Sequence, residues 1–92
     1  MSSYDFSNIG AKWEDKDEQK LLCMYTKEKK NIVDISQELK RTPTGVTSRL
    51  CKLNLIENSY DCKGFSAYLT NPEYADYKNA VTEEKKKKTY YA

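Results

Sequence analysis

The chain contains no histidine and a single tryptophan, with two prolines, three glycines and three cysteines in 92 residues. Without histidine, the side chain that most often serves as general acid, general base or zinc ligand is missing. The cysteines, Cys23, Cys51 and Cys62, are odd in number and far apart. That spacing suits neither a disulfide framework nor a CxxC metal site, so reduced thiols and no metal or cofactor are expected. There is no glycine-rich phosphate loop and no nucleophile motif, and the carboxylates are scattered. No enzyme activity and no small-molecule substrate are expected. Apolar runs are short, none approaching the ~20 residues that span a bilayer. The opening MSSYDFSNIG has neither the basic start nor the apolar middle of a signal peptide. These absences predict a soluble protein without membrane contact in a reducing, intracellular setting: nucleus, cytoplasm or viral particle.

What is present is charge. A third of the residues are charged, 38% are apolar, and the net charge is only +2. Attraction to a polyanion must therefore come from the distribution of charge. The modest apolar content predicts a local core occupying about half of the chain. Residues 1–12 lack periodicity and read as a flexible arm, with Tyr4, Phe6 and Ile9 able to fold back. Residues 13–58 read as one domain, and 59–92 as a Tyr- and Lys-rich extension.

Within the domain, three short helices are predicted. The first covers about 15–28, with Asp15 and Glu18 as a capping box and Leu21, Leu22 and Tyr25 as its apolar face. The second covers about 32–39, capped by Asn31, with Ile32, Ile35 and Leu39 in a one-sided stripe. The third runs from Pro43 to about Leu53, with Thr42 as cap and Pro43 at the first helical position. Val46, Leu50 and Leu53 form its buried stripe, while Leu55 and Ile56 close the underside of the core. A fourth helix over 72–87 is predicted from Asn71 and Pro72, with Tyr74, Tyr77 and Val81 on one side. The fold class is all-α.

The third helix has the most informative outer face. Thr44, Thr47, Ser48 and Lys52 are expected to point outward, with Arg49 on the flank and Lys40 and Arg41 just before the start. Small hydroxyls framed by cations suit a helix in a DNA groove, since they reach base edges and phosphates without blocking close approach. Threonine and serine are also poorer helix formers than lysine or glutamate, so their grouping is not ordinary surface filler.

Two neighbouring helices joined by a tight turn at Lys40–Thr42 make a helix-turn-helix. Trp13, Asp17, Glu18, Leu21 and Tyr25 resemble the W-x-x-x-[ED]-[DE]-x-x-L-x-x-x-[YF] opening of Myb/SANT-like domains. The continuation N-I-x-x-I-S-x-x-L-x-R-T-P-x-x-V-x-x-R-L, from Asn31 to Leu50, is similar to the compact variants of that fold in phage and bacterial regulators and large DNA viruses. Glu14 stands where the family usually has serine or threonine, and the later helices carry aliphatic residues in place of the family's aromatics. The resemblance implies a three-helix domain whose third helix reads double-stranded DNA, as a small transcription regulator or a DNA-packaging protein. It also implies a rival, since SANT-like relatives bind proteins.

Several residues keep two readings. Arg41 and Arg49 are the only arginines, and arginine can contact phosphate or guanine in two-pronged fashion. Arg49 can equally pair with Asp17 or Glu18 of the first helix. Lys27, Lys29 and Lys30 are phosphate contacts or a solvated helix end. The run Lys85, Lys86, Lys87 and Lys88 is an electrostatic anchor, a nuclear address or a solvated tail. Tyr60, Tyr68, Tyr74, Tyr77, Tyr90 and Tyr91 offer a surface for a homodimer or protein partner, or pack back on the core. Trp13 is expected in the core.

Overall fold

The computed structural model describes residues 4–89, with side chains described as far as Glu84. Its described residues are helical and contain no strand. The α-helices are α1 (Asp15–Leu22), α2 (Ile32–Leu39), α3 (Pro43–Lys52), α4 (Phe65–Thr70) and α5 (Ala75–Thr89). A π-helical turn, Cys23–Lys27, continues α1, and single 3-10 turns at Ser59–Asp61 and Pro72–Tyr74 precede α4 and α5. Among the described residues no helix is long and apolar enough to cross a membrane.

Local chemistry sets each start. The Asn31 side chain accepts a hydrogen bond from the Asp34 N–H at 3.0 Å and begins α2. The Thr42 hydroxyl accepts from the Gly45 N–H at 3.1 Å, and Pro43 follows at the first helical position of α3. The cap of α1 lies one residue earlier than its sequence suggests. Glu14 is the N-cap, and the Asp17 carboxylate accepts from its N–H at 3.0 Å. α1 is also shorter than predicted, because its ladder widens into the π-turn after Leu22. Between α2 and α3 the chain reverses at Lys40, which takes a left-handed conformation (φ 59°). There the Arg41 N–H donates to the Ser36 carbonyl and closes the end of α2.

The core is a single cluster running from Phe6 to Val81. Leu21, Ile32, Ile35, Val46 and Leu50 have no exposed surface. Ile56 is buried and Leu55 and Leu53 are partly so, closing the underside as their positions predict. Three expectations are corrected here. The core is not confined to residues 13–58, because Cys62, Phe65, Tyr68, Tyr77 and Val81 belong to it. The arm folds back, with Phe6 5% exposed and the Asn8 N–H and side-chain amide donating to the carbonyls of Lys40 and Leu39. The extension also contains α4, which its sequence hides behind only six residues of weak periodicity. The fourth predicted helix exists, as the 3-10 turn from Pro72 followed by α5. α4 enters at Gly64, whose φ of 87° and close approach demand glycine: a Cβ there would lie 2.8 Å from the Asn31 Cβ.

Candidate nucleic-acid interface

α3 stands on Val46 and Leu50, both fully buried, and turns Thr44, Ser48 and Lys52 outward. These are spaced by four residues, so they form one exposed line along the helix. Gly45 and Arg49 flank it, half-buried, and a shallow groove between α3 and Trp13, which precedes α1, is lined by Trp13, Gly45, Ser48, Arg49 and Lys52. Thr47 does not belong to this line. It is fully buried, its hydroxyl donating to the Thr44 carbonyl at 3.0 Å and accepting from the Ser59 hydroxyl at 2.9 Å. Position 47 lies about 60° round the helix from Leu50, at the edge of the buried stripe. The Ser59 turn, contributed by the extension, covers that edge.

Arg41 is likewise not an outward group. It is 5% exposed, and its guanidinium donates to the Ala11 and Lys12 carbonyls at 2.9 and 3.2 Å. It also lies 4.1 Å from the Trp13 ring centroid and 3.8 Å from Asp17. Burial pulls its pKa below the ordinary arginine range, opposed by the Asp17 carboxylate and reinforced by the neighbouring positive charge of Arg49. Arg49 takes the ion-pair alternative: its Nε is 3.2 Å from Glu18, and its guanidinium lies 5.2 Å from the Trp13 centroid. Trp13 is thus partly buried against the core with two guanidiniums on it. The arginines tie the N-terminal segment and α1 to α3, and Asp17 and Glu18 are neutralised in doing so.

The lysines are dispersed. Lys40, at the turn before α3, is exposed and 3.8 Å from Asp5. Lys12 is exposed, and because Arg41 holds its carbonyl it is fixed near the start of α3. Sequence reasoning missed it, since nothing in the spacing of residues 1–12 reveals that tether. Lys27 and Lys29 are exposed, while Lys30 pairs with Glu28 at 3.4 Å and Glu38 at 4.0 Å. The side chains of Lys85–Lys88, and Tyr90 and Tyr91 altogether, lie outside the described residues.

Of the tyrosines, Tyr68 and Tyr77 pack back on the core, 5% and 2% exposed. Their rings meet edge-on at 5.8 Å, and Tyr77 also meets Phe6 at 5.4 Å and Tyr4 at 4.8 Å. The Tyr77 hydroxyl lies 2.5 Å from that of Ser36, which itself donates to the Val33 carbonyl. With its one proton so used, Ser36 accepts from Tyr77. These two tyrosines are therefore not a free partner surface. Tyr74 is half-buried, and Tyr60 is 67% exposed. No protein-family model, curated protein or solved structure matches the chain.

Proposed function

We propose that the protein binds double-stranded DNA, with α2 and α3 acting as a helix-turn-helix and α3 seated in the major groove. The observation that carries this reading is the exposed line Thr44, Ser48 and Lys52 on a helix anchored from beneath by Val46 and Leu50. Two short hydroxyl side chains allow the helix backbone to approach base edges, and Lys52 supplies a donor for guanine or phosphate. α3 carries no carboxylate, and the acids of α1 nearest to it are paired with Arg41 and Arg49. Lys40 and Lys12, near the start of α3, add phosphate contacts. A single module of this size covers roughly 600–1,000 Å² of its own surface. It suits a small regulator that works in pairs, or an architectural protein that coats DNA.

The test is fluorescence anisotropy of a labelled random-sequence duplex at two salt concentrations, with the wild type, Ser48→Glu and Lys52→Ala. The wild type is expected to bind and to weaken with salt. Ser48→Glu should abolish binding with the fold intact, because it puts a carboxylate in the groove. Binding that survives Ser48→Glu would remove α3 as the reading helix. A folded wild type that does not bind at low salt would favour the protein-interaction reading, for which the exposed Tyr60 is the anchor.

A further inference from the structure

Two loops distant in sequence meet at the start of α2. The Ile32 N–H donates to the Lys63 carbonyl at 2.8 Å, and the Lys63 ammonium donates to the Lys29 carbonyl at 3.3 Å. Gly64 permits this approach, since any side chain there would collide with Asn31. Lys29 is held in a left-handed conformation, φ 53°, where the π-turn gives way to α2. The outcome is a groove lined by Lys29, Lys30 and Lys63, with Tyr25 and Asp61. Asp61, held in place by the Glu57 and Asn58 N–H groups at 3.1 and 3.2 Å, keeps its charge and offsets one of the three lysines. Lys30 is shared with Glu28 and Glu38, which leaves Lys29 and Lys63 as the cations with the most to offer a ligand. Tyr25 and Asp61 also line an adjoining groove that reaches Cys51 at the end of α3, with Asn54 and Glu57 beyond it.

We propose that Lys29 and Lys63, supported by Lys30 and the Tyr25 hydroxyl, form a second contact that takes a backbone phosphate of the same DNA duplex whose groove α3 enters. The site rests on the DNA-binding reading and extends it from Lys29 and Lys30, named from the sequence, to Lys63, which only the fold brings beside them. The Tyr25 phenol, pushed up by burial from a range already well above neutral, carries its proton at neutral pH and can donate. Phosphate contacts of this kind set affinity and salt dependence and carry no base information.

The experiment is a salt titration of duplex binding with Lys29→Gln/Lys63→Gln, Lys29→Arg/Lys63→Arg and a control pair on α1, Lys16→Gln/Lys20→Gln. Removing two phosphate contacts should lower the slope of log affinity against log salt by about 1–2 and weaken low-salt binding about tenfold or more. Preference among sequences should not change, and the arginine pair should retain the wild-type slope. Circular dichroism checks folding, and if the double variant is unfolded, Lys29→Gln alone should show roughly half of the slope change. A wild-type slope in Lys29→Gln/Lys63→Gln, or an equal loss in the control pair, overturns the site. If Ser48→Glu abolishes binding while the glutamine pair changes nothing, the site fails and the α3 reading stands. If the wild type does not bind duplex at all, both fall together.

Discussion

Arg41 and Thr47 show how far residue type can mislead about residue role. An arginine before a helix and a threonine on it both suit DNA contact, yet each is enclosed by a segment that periodicity does not connect to α3. Arg41 is held by the carbonyls of Ala11 and Lys12, and Thr47 by Ser59. A buried guanidinium with hydrogen bonds, a carboxylate and an aromatic ring around it is structural, and removing it leaves those partners unpaired. Arg41→Ala should therefore lower stability by about 2–4 kcal/mol in urea unfolding. Ser48→Ala, at an exposed position, should change it by less than about 0.5 kcal/mol. An Arg41→Ala protein as stable as the wild type, with impaired DNA binding, would return that side chain to the interface.

At the scale of elements, α5 is docked through aromatic rings. Tyr77 bridges α2 and the N-terminal arm, meeting Ser36 on one side and Phe6 and Tyr4 on the other, and Tyr68 of α4 packs against it. Burial pushes the Tyr68 phenol up to about 12 and raises Tyr77 as well. An exposed phenol in the unfolded chain ionises near pH ~10. The folded state thus holds these protons more tightly, and stability is fully present below pH ~10 and lost as pH rises toward about 12. For Tyr68 alone the loss is on the order of 2–3 kcal/mol. Thermal melts between pH 8 and 11.5 should show this decline, and Tyr77→Phe should make it shallower. A melting temperature flat across that window would show that the rings are not buried as described.

The described residues share one core, from Phe6 to Val81. The radius of gyration is 12.8 Å, close to the ~12 Å expected for a compact chain of this length. Periodicity alone marks residues 13–58 as a unit, but the core crosses both of those boundaries. Phe6, Phe65, Tyr68, Tyr77 and Val81 lie outside that segment and inside the core. Burying five such side chains contributes on the order of 10 kcal/mol, comparable to the total stability of a small domain. A fragment of residues 13–58 should therefore show little helicity and no cooperative thermal transition, whereas the full chain should melt in one step. A cooperative melt of the fragment would mean that the first three helices form a sufficient core.

What the amino-acid order determined by itself was local. Asn31 and the Thr42–Pro43 pair start α2 and α3 because capping is a matter of adjacent residues, and the stripes Ile32–Ile35–Leu39 and Val46–Leu50 decide which faces go inward. The outward line Thr44, Ser48 and Lys52 follows from the same period, so most of the candidate interface was legible without coordinates. The tertiary structure decided everything that depends on which distant segment lies alongside. It hid Arg41 and Thr47, divided the tyrosines between the buried Tyr68 and Tyr77 and the exposed Tyr60, and drew Lys63 to Lys29. A helical period reports only which way a residue faces on its own helix. Whether that direction meets solvent or another part of the chain depends on long-range packing, for which no local pattern exists.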